Sequence, residues 1–351
     1  MTSQSEILFE RRGAAGLVTL NRPQALNAVT LVMVRALREQ LDAWRDDPAV
    51  TRVIVTGAGG KAFSAGGDIR QIYDLGKAGQ HAEALNFFRE EYQLNTVIKK
   101  YPKPYVSLYD GIVMGGGIGL SIHGSHRISG DKFMFAIPEV NIGFFPDIGA
   151  TWFLPRMPGE IGTYCAVTGE RLRAPDSVAA GVATHRVPSQ KFPDLLDALC
   201  GSVSVDALLG AFAAPPEVGP VTSRRANIDR LFGADTIEIE QILQNLDDER
   251  GEAEEWAKTT AATIRLRSPT SLKIALRQVR RGKDLSFEDC MKTEFRIVTR
   301  ILHGHDYYEG VRAVIVDKDN APRWQPASLA EVGDPEITGY FAPVPDELVL
   351  P

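Results

Sequence analysis

The sequence predicts an α/β fold, a coiled stack of small β-β-α turns with a helical region at its C-terminal end. Short apolar runs typical of strands occur at residues 7–9, 17–20, 53–55 and 105–108. Strand, turn and helix recur between them without the long regular crossovers of a doubly wound sheet. From Ser204 onward Ala, Leu, Asp and Glu dominate, which favours helices.

Local signals define the first elements. Gly13 to Gly16 predict a hairpin turn between the strands at 7–9 and 17–20. Apolar residues then recur at helical spacing, at Leu31, Val34, Leu37, Leu41 and Trp44. Asp46-Asp47-Pro48 ends this helix.

The middle of the chain predicts further turns of the stack. Residues 62–69 are expected to form a glycine-bearing turn, and a long polar helical region follows, to about residue 100. A helix is predicted from residues 115–119 to about His123. Residues 127–129 and 132–135 are predicted to be two strands that pair with each other.

The C-terminal part predicts helices at residues 237–250, 252–266 and 271–280, and a Pro-rich tail that wraps the surface. The change of character near residue 200 predicts two domains. Residues 1–200 would form the ββα core with the site, and residues 201–351 a helical region with the tail.

Composition excludes several classes of protein. The formal net charge of −6 and the lack of a long basic tract argue against nucleic-acid binding. No apolar run is long enough to span a membrane, and the first ten residues lack an apolar signal core, so we expect a cytoplasmic protein. The three cysteines form no CxxC pair and the histidines no convincing ligand spacing, so we expect no metal.

Three segments could carry chemistry. They are Ala65-Gly66-Gly67-Asp68, the run Gly115 to Gly119, and the carboxylates Glu139 and Asp147 in an apolar stretch. Glycines allow backbone amides to face a cleft, and apolar surroundings raise the pKa of a carboxyl group. Taken alone, each segment is better explained by structure than by chemistry: the first by a tight turn, the second by close helix packing, and the two carboxylates by a helix cap and a surface pair. A dinucleotide fingerprint is not present, because the glycine spacing fails.

Together these segments resemble the crotonase (enoyl-CoA hydratase/isomerase) superfamily. The resemblance is carried by Asn21 to Ala28, Lys61 to Arg70, Pro102 to Val106, Asp110 to Gly119 and Pro138-Glu139, in the family's order. It implies a crotonase-like right-handed ββα superhelix that binds small acyl-CoA thioesters. By motif position, the amides of Gly67 and Gly116 would polarise the thioester carbonyl as an oxyanion hole.

The resemblance also implies the wall that binds coenzyme A, formed by Ala25, Asn27, Ala62, Ala65, Gly66, Asp68, Ile69 and Gly115. The cation for the 3′-phosphate stays open between Arg22, Lys61 and the C-terminal basic residues. No cofactor is implied, since coenzyme A is part of the substrate. The superfamily often forms trimers and hexamers, so a homo-oligomer of that size or smaller is implied.

The carboxylates indicate a branch of the superfamily. Hydratases carry a first glutamate where this chain has Gly119 and a second at Glu139, and they have glycine where this chain has Asp147. Glu139 with Asp147 resembles a branch that hydrolyses short 3-hydroxyacyl-CoA thioesters. Glu139 would be the nucleophile or the general base, and the role of Asp147 is open. An enoyl-CoA hydratase or isomerase and a non-catalytic acyl-CoA-binding relative are the alternatives.

Overall fold

The computed structural model describes residues 5–233 and 235–351 of the chain. Residues 1–4, which the predicted first domain and the predicted N-terminus include, lie outside this range. The described strands are β1 (Ile7–Arg12), β2 (Ala15–Leu20), β3 (Arg52–Gly57), β4 (Ala62–Ser64), β5 (Tyr105–Tyr109), β6 (Ile112–Met114), β7 (His126–Ser129), β8 (Met134–Ala136), β9 (Leu172–Arg173) and β10 (His185–Arg186).

The strands form two sheets that rise together as a spiral. The larger has the order β1-β2-β3-β5-β7-β10 and the smaller the order β4-β6-β8-β9. In successive turns of the chain, β3, β5 and β7 enter the larger sheet, and β4, β6 and β8 enter the smaller one. Each pairs in parallel with its equivalent in the previous turn. The predicted coiled stack of β-β-α turns is therefore confirmed.

One predicted pairing is wrong. Residues 127–129 and 132–135 do not pair with each other, because β7 pairs with β5 and β8 pairs with β6. The chain turns a corner between them and passes from one sheet to the other. Inside a parallel spiral each strand gains its hydrogen bonds from the neighbouring turn, which a local hairpin pattern does not reveal.

The α-helices cover the spiral and form most of the C-terminal part. They are α1 (Leu31–Asp46), α2 (Ile69–Lys77), α3 (His81–Lys99), α4 (Gly116–Gly119), α5 (Ala150–Phe153), α6 (Ile161–Thr168), α7 (Phe192–Leu199), α8 (Val205–Phe212), α9 (Arg225–Leu231), α10 (Ile239–Asp247), α11 (Glu254–Arg265), α12 (Pro269–Gly282), α13 (Phe287–Ile301), α14 (His305–Val311) and α15 (Asp334–Phe341).

Several predicted elements need smaller corrections. The turn predicted at 62–69 begins with strand β4, and the long helical region before residue 100 is two helices, α2 and α3. The break between them contains Gly79 at φ +76°, a left-handed conformation that ends α2. The helix predicted from residue 115 ends at Gly119. The predicted helices at 237–250, 252–266 and 271–280 correspond to α10, α11 and α12.

One apolar core joins the spiral to the C-terminal helices. Its buried members run from Ile7 to Leu348 and include residues on both sides of position 200. Helix α13 packs on α3 and α5, and α12 packs on α5 and α6. The C-terminal helices therefore pack on helices of the first 200 residues, while a domain boundary near residue 200 stays a prediction. None of the described helices has the length and apolar character needed to cross a membrane.

Candidate active site

A cavity of about 490 Å³ opens where the spiral meets the C-terminal helices. Its walls include Ala25, Leu26, Ala28, Ala65, Gly66, Gly67, Asp68, Ile69, Phe87, Phe88, Glu91, Met114, Gly115, Gly116, Pro138, Glu139, Asn141, Phe144, Asp147, Val314 and Ile315. The three segments that the sequence singled out thus meet at one apolar cavity.

Two glycine turns lie against each other in this wall. Gly66 (φ +121°) and Gly115 (φ +42°) have backbone conformations that other residues rarely adopt. A Cβ atom built on Gly116 would lie 3.1 Å from the amide nitrogen of Gly67, so the two segments are in direct contact. Within the described residues, neither the Gly67 nor the Gly116 amide donates a hydrogen bond to another protein group. Two uncommitted donors at a cavity wall can bind an oxyanion.

Glu139 is the first residue of a 3₁₀ helix, Glu139–Ile142, which directly follows Pro138. Its side chain is buried, and its Oε2 has no hydrogen-bond partner among the described residues. Its Oε1 would lie 3.6 Å from a Cβ atom built on Gly115, so the carboxyl group faces the glycine wall. Burial, and next the charge of Asp147, raise the pKa of Glu139 well above its usual range.

Asp147 lines the same cavity and is also buried. Its Oδ2 accepts a hydrogen bond of 2.9 Å from the hydroxyl of Tyr92 on α3. Burial raises the pKa of Asp147 to about 7, although the hydrogen bond from Tyr92 lowers it. The alternative reading of Asp147 as a helix cap is wrong, because α5 begins after Gly149 and has no side-chain cap.

Glu91 is a third buried carboxyl group in the cavity, and sequence reasoning missed it. It lies on α3, and its Oε1 would be 2.5 Å from a Cβ atom built on Gly116. That oxygen has no hydrogen-bond partner among the described residues. Burial and the charge of Asp147 raise its pKa well above the usual range. The available signal was a lone acid on the apolar stripe of α3, between Phe88 and Leu94.

The position of the absent hydratase glutamate is filled by other side chains. A Cβ atom built on Gly119 would lie 2.9 Å from Asn95 Nδ2 and 3.0 Å from Ile148 Cβ. A carboxylate side chain would not fit there without rearrangement. The second glutamate of this cavity comes instead from α3, one turn before Asn95.

Most of the predicted coenzyme A wall lines the cavity, but Asn27 and Ala62 do not. Asn27 is fully buried, and its side-chain amide forms hydrogen bonds with backbone groups of the protein. Its Nδ2 donates to the carbonyls of Ala58 and Ala62, and its Oδ1 accepts from the amide of Arg22. Asn27 therefore shapes the loop that presents Ala25 and its neighbours.

Among the candidate cations, Arg22 already pairs with Glu6 and with Asp68. A second cavity, of about 510 Å³, shares Asn141 and Val314 with the first and is lined by Arg265 and Arg267. Arg267 donates to the Thr168 carbonyl, while its Nε has no partner among the described residues. Arg265 pairs with Asp247, whereas Arg267 has no carboxylate partner among the described residues. The charge of Arg267 is therefore less neutralised by neighbouring carboxylates than that of Arg22.

The ββα spiral with paired glycine turns and buried carboxyl groups is the architecture of the crotonase fold, a class of acyl-CoA-binding proteins. A family model described as enoyl-CoA hydratase/isomerase matches residues 15–341. The chain therefore belongs to the enoyl-CoA hydratase/isomerase family. The predicted crotonase-like right-handed superhelix is confirmed.

Similar proteins carry two kinds of name. The mitochondrial 3-hydroxyisobutyryl-CoA hydrolase of Xenopus tropicalis is 45% identical over 96% of this chain and 88% of its own length. That of Rattus norvegicus is 44% identical over 97% and 89%. Among solved structures, a carnitinyl-CoA dehydratase from Mycobacterium thermoresistibile is 42% identical, with a TM-score of 0.92 over 99% of both chains. An enoyl-CoA hydratase from Rhodobacter sphaeroides 2.4.1 is 36% identical, with a TM-score of 0.89 over 99% and 100%.

Proposed function

We propose that the protein hydrolyses 3-hydroxyisobutyryl-CoA to 3-hydroxyisobutyrate and coenzyme A, a step of valine breakdown. The observation that carries this proposal is Asp147, a buried carboxyl group that lines one cavity together with Glu139 and the two glycine turns. Several relatives at 42–45% identity over nearly the whole chain bear the name of this hydrolase. Both lines of support agree on thioester hydrolysis.

The chemistry follows from the charge that develops on the thioester oxygen. Attack on the carbonyl carbon moves negative charge to that oxygen, which the Gly67 and Gly116 amides would stabilise. One such donor is worth about 2.7–4 kcal/mol in other enzymes. The carbon–sulfur bond then breaks, the thiol leaves with a proton, and water supplies the new hydroxyl group of the acid.

Glu139 would either attack the carbonyl as a nucleophile or remove a proton from the attacking water. Its raised pKa makes its carboxylate a stronger base than an exposed one. Asp147 and Glu91 line the same cavity and would hold the 3-hydroxyl group or the leaving thiol. These steps need only water and carboxyl groups, so we propose that the reaction uses no metal or redox cofactor.

The phosphates of coenzyme A would bind in the second cavity. Arg267 is half-buried there, and its Nε has no partner among the described residues. Burial lowers the pKa of this arginine, an effect that a bound phosphate would offset. The pantetheine arm would pass between Val314 and Ala65, which both line the first cavity.

A second candidate function is hydration of a short enoyl-CoA or the reverse dehydration. Two observations favour it. Glu91 provides a second glutamate near Glu139, and two similar solved structures bear hydratase or dehydratase names. Hydration leaves the thioester intact, whereas hydrolysis releases a free thiol. Parallel assays of crotonyl-CoA and 3-hydroxyisobutyryl-CoA, followed by thiol release and by loss of the double bond, separate the two reactions.

The test of the proposal is the variant Glu139→Gln, which keeps the shape of the side chain and removes its basicity. We expect loss of at least about 100-fold in kcat for thiol release, as for general-base catalysts elsewhere. Binding of the CoA ester should persist, because the cavity walls are unchanged. Glu10→Gln on β1 is the matched control and should leave kcat unchanged. Undiminished hydrolysis by Glu139→Gln would contradict the proposal.

Compartment and assembly also belong to the proposal. The cytoplasmic location stays a prediction, and the vertebrate relatives are named mitochondrial. A homo-oligomer, and the lack of a nucleic-acid partner, likewise stay predictions. Light scattering of the purified full chain measures the assembly directly.

A further inference from the structure

We infer that Glu294, on α13 of the C-terminal region, is a positioning residue that fixes Asp147 by clamping the turn that follows it. The catalytic part of this inference rests on the proposed function. Glu294 is fully buried and does not line the cavity. Its effect would therefore pass through the backbone of residues 149–151.

The turn after Asp147 has an unfavourable backbone. Ile148 has φ +58° and Gly149 has φ +86°, so two consecutive residues are left-handed. For a β-branched residue this conformation is a genuine outlier, and it persists only where surrounding groups hold it. Because Asp147 immediately precedes these residues, the direction of its carboxyl group depends on the turn.

Glu294 supplies that support with both of its oxygens. Oε2 accepts a hydrogen bond of 2.7 Å from the Gly149 amide, and Oε1 accepts one of 2.8 Å from the Thr151 amide. These are amides at the start of α5, which no residue of that helix can satisfy. A carboxylate accepts at both oxygens, whereas the amide of a glutamine would set an N–H group against one of these donors.

Two further buried side chains hold the same segment. Gln278 on α12 donates to the Pro146 carbonyl and, at 2.9 Å, to Thr151 Oγ1. His123 Nε2 lies 2.7 Å from the carbonyl oxygen of Ile148. Burial lowers the pKa of His123 to about 3, so the ring is neutral and Nε2 carries the donated proton. The residues on either side of Asp147 are thus hydrogen-bonded by His123 of the spiral and by Gln278 of a C-terminal helix.

The chemistry of Glu294 indicates a role beyond stability. Burial, and also the charge of Asp147, raise the pKa of Glu294 to about 8. A buried acid beside another acid contributes little to the free energy of unfolding, because an apolar residue of similar size at such a position often stabilises the fold more. What Glu294 adds is a fixed turn, and the side chain that this turn presents to the cavity is Asp147.

The test compares Glu294→Gln with Ile301→Ala. Ile301 lies on the same helix, is buried and has no place in the cavity. Ile301→Ala should destabilise the fold at least as much, since such truncations cost about 2–5 kcal/mol. For Glu294→Gln we expect kcat for thiol release to fall about tenfold or more, with KM within about twofold. For Ile301→Ala both constants should stay within about twofold.

The inference is overturned if Glu294→Gln keeps the wild-type kcat, if it changes only KM, or if Ile301→Ala lowers kcat equally. If Glu294→Gln does not fold, Glu294→Asp takes its place. It keeps the carboxyl group, but its shorter side chain cannot reach both amides, and it should show the same kcat loss. If the wild-type protein releases no thiol, the proposed function fails by itself. A crystal structure of the variant then tests the clamp, since an unchanged turn with Asp147 still bonded to Tyr92 would refute it.

Discussion

The contact between the two glycine turns makes Gly116→Ala an informative perturbation. An alanine methyl group would lie 3.1 Å from the Gly67 amide nitrogen, which is the distance at which a substrate oxygen would accept from that amide. It would also lie 2.5 Å from Glu91 Oε1, closer than any real contact, so Glu91 must move. The methyl group therefore obstructs the proposed oxyanion site directly.

The expected loss of kcat in Gly116→Ala follows from obstruction of one oxyanion donor, the Gly67 amide. Loss of one oxyanion donor corresponds to about 2.7–4 kcal/mol, or roughly 10²–10³ in kcat. Gly116 does not have a positive φ, so alanine introduces no backbone strain there. Displacing the buried Glu91 should cost about 1–3 kcal/mol of stability. We therefore expect a lower melting temperature, and kcat is measured well below it, where the variant is folded.

The assay is thiol release from 3-hydroxyisobutyryl-CoA, with Gly210→Ala as the matched control. Gly210 lies on α8, and a Cβ atom there would meet nothing within 4 Å. We expect the control to match the wild type. If Gly116→Ala retains kcat within about threefold of the wild type, the Gly67 amide is not an oxyanion donor and this interpretation of the site is refuted.

Three other predictions test neighbouring parts of the site. Stability of the unliganded protein should fall as the pH rises from about 4 to about 7, by roughly 1.4 kcal/mol per pH unit from Asp147 alone, and the fall should level off above pH 7. In this window the folded protein keeps the Asp147 proton, because the folded pKa is raised to about 7, whereas the unfolded chain has already lost it. Denaturant unfolding of Asp147→Asn should show a shallower slope, because Glu91, Glu139 and Glu294 still have burial-raised pKa values. A slope equal to that of the wild type would contradict the raised pKa of Asp147. Tyr92→Phe removes the hydrogen bond that lowers the pKa of Asp147, so any limb of the pH–rate profile due to Asp147 should move to higher pH. Arg267→Met should raise KM about tenfold for the CoA ester but not for an N-acetylcysteamine thioester, which lacks the phosphates, and equal effects on both would exclude a phosphate contact.

The sequence could predict the parts of the site that depend on local motifs. Gly66-Gly67 and Gly115-Gly116 are recognisable because glycine is required where the backbone adopts a positive φ or makes a close approach. Glu139 could be placed at the start of a helical turn because it follows Pro138. For these residues the local pattern determines the local structure.

The parts that depend on distant pairing could not be predicted in the same way. The local pattern predicts that residues 132–135 pair with residues 127–129, whereas in the structure β8 pairs with β6 of the previous turn. The role of Glu294 could not be predicted from its local pattern, because its hydrogen bonds reach residues 149 and 151, more than a hundred positions earlier. Contacts at such separations arise from the way the spiral and the C-terminal helices close on one another.

Glu91 shows why counting carboxylates along the sequence is an incomplete argument. Gly119 indicated a missing acid, and the space beside Gly119 is indeed filled by Asn95 and Ile148. Yet α3 brings Glu91 to the same cavity, so the number of glutamates does not separate a hydratase from a hydrolase. The distinction must therefore rest on Asp147, the group that hydratases lack at this position. The turn that follows Asp147 is held by Glu294 of a C-terminal helix. Under the proposed function, the position of Asp147 in the site therefore depends on how the C-terminal helices pack on the rest of the chain.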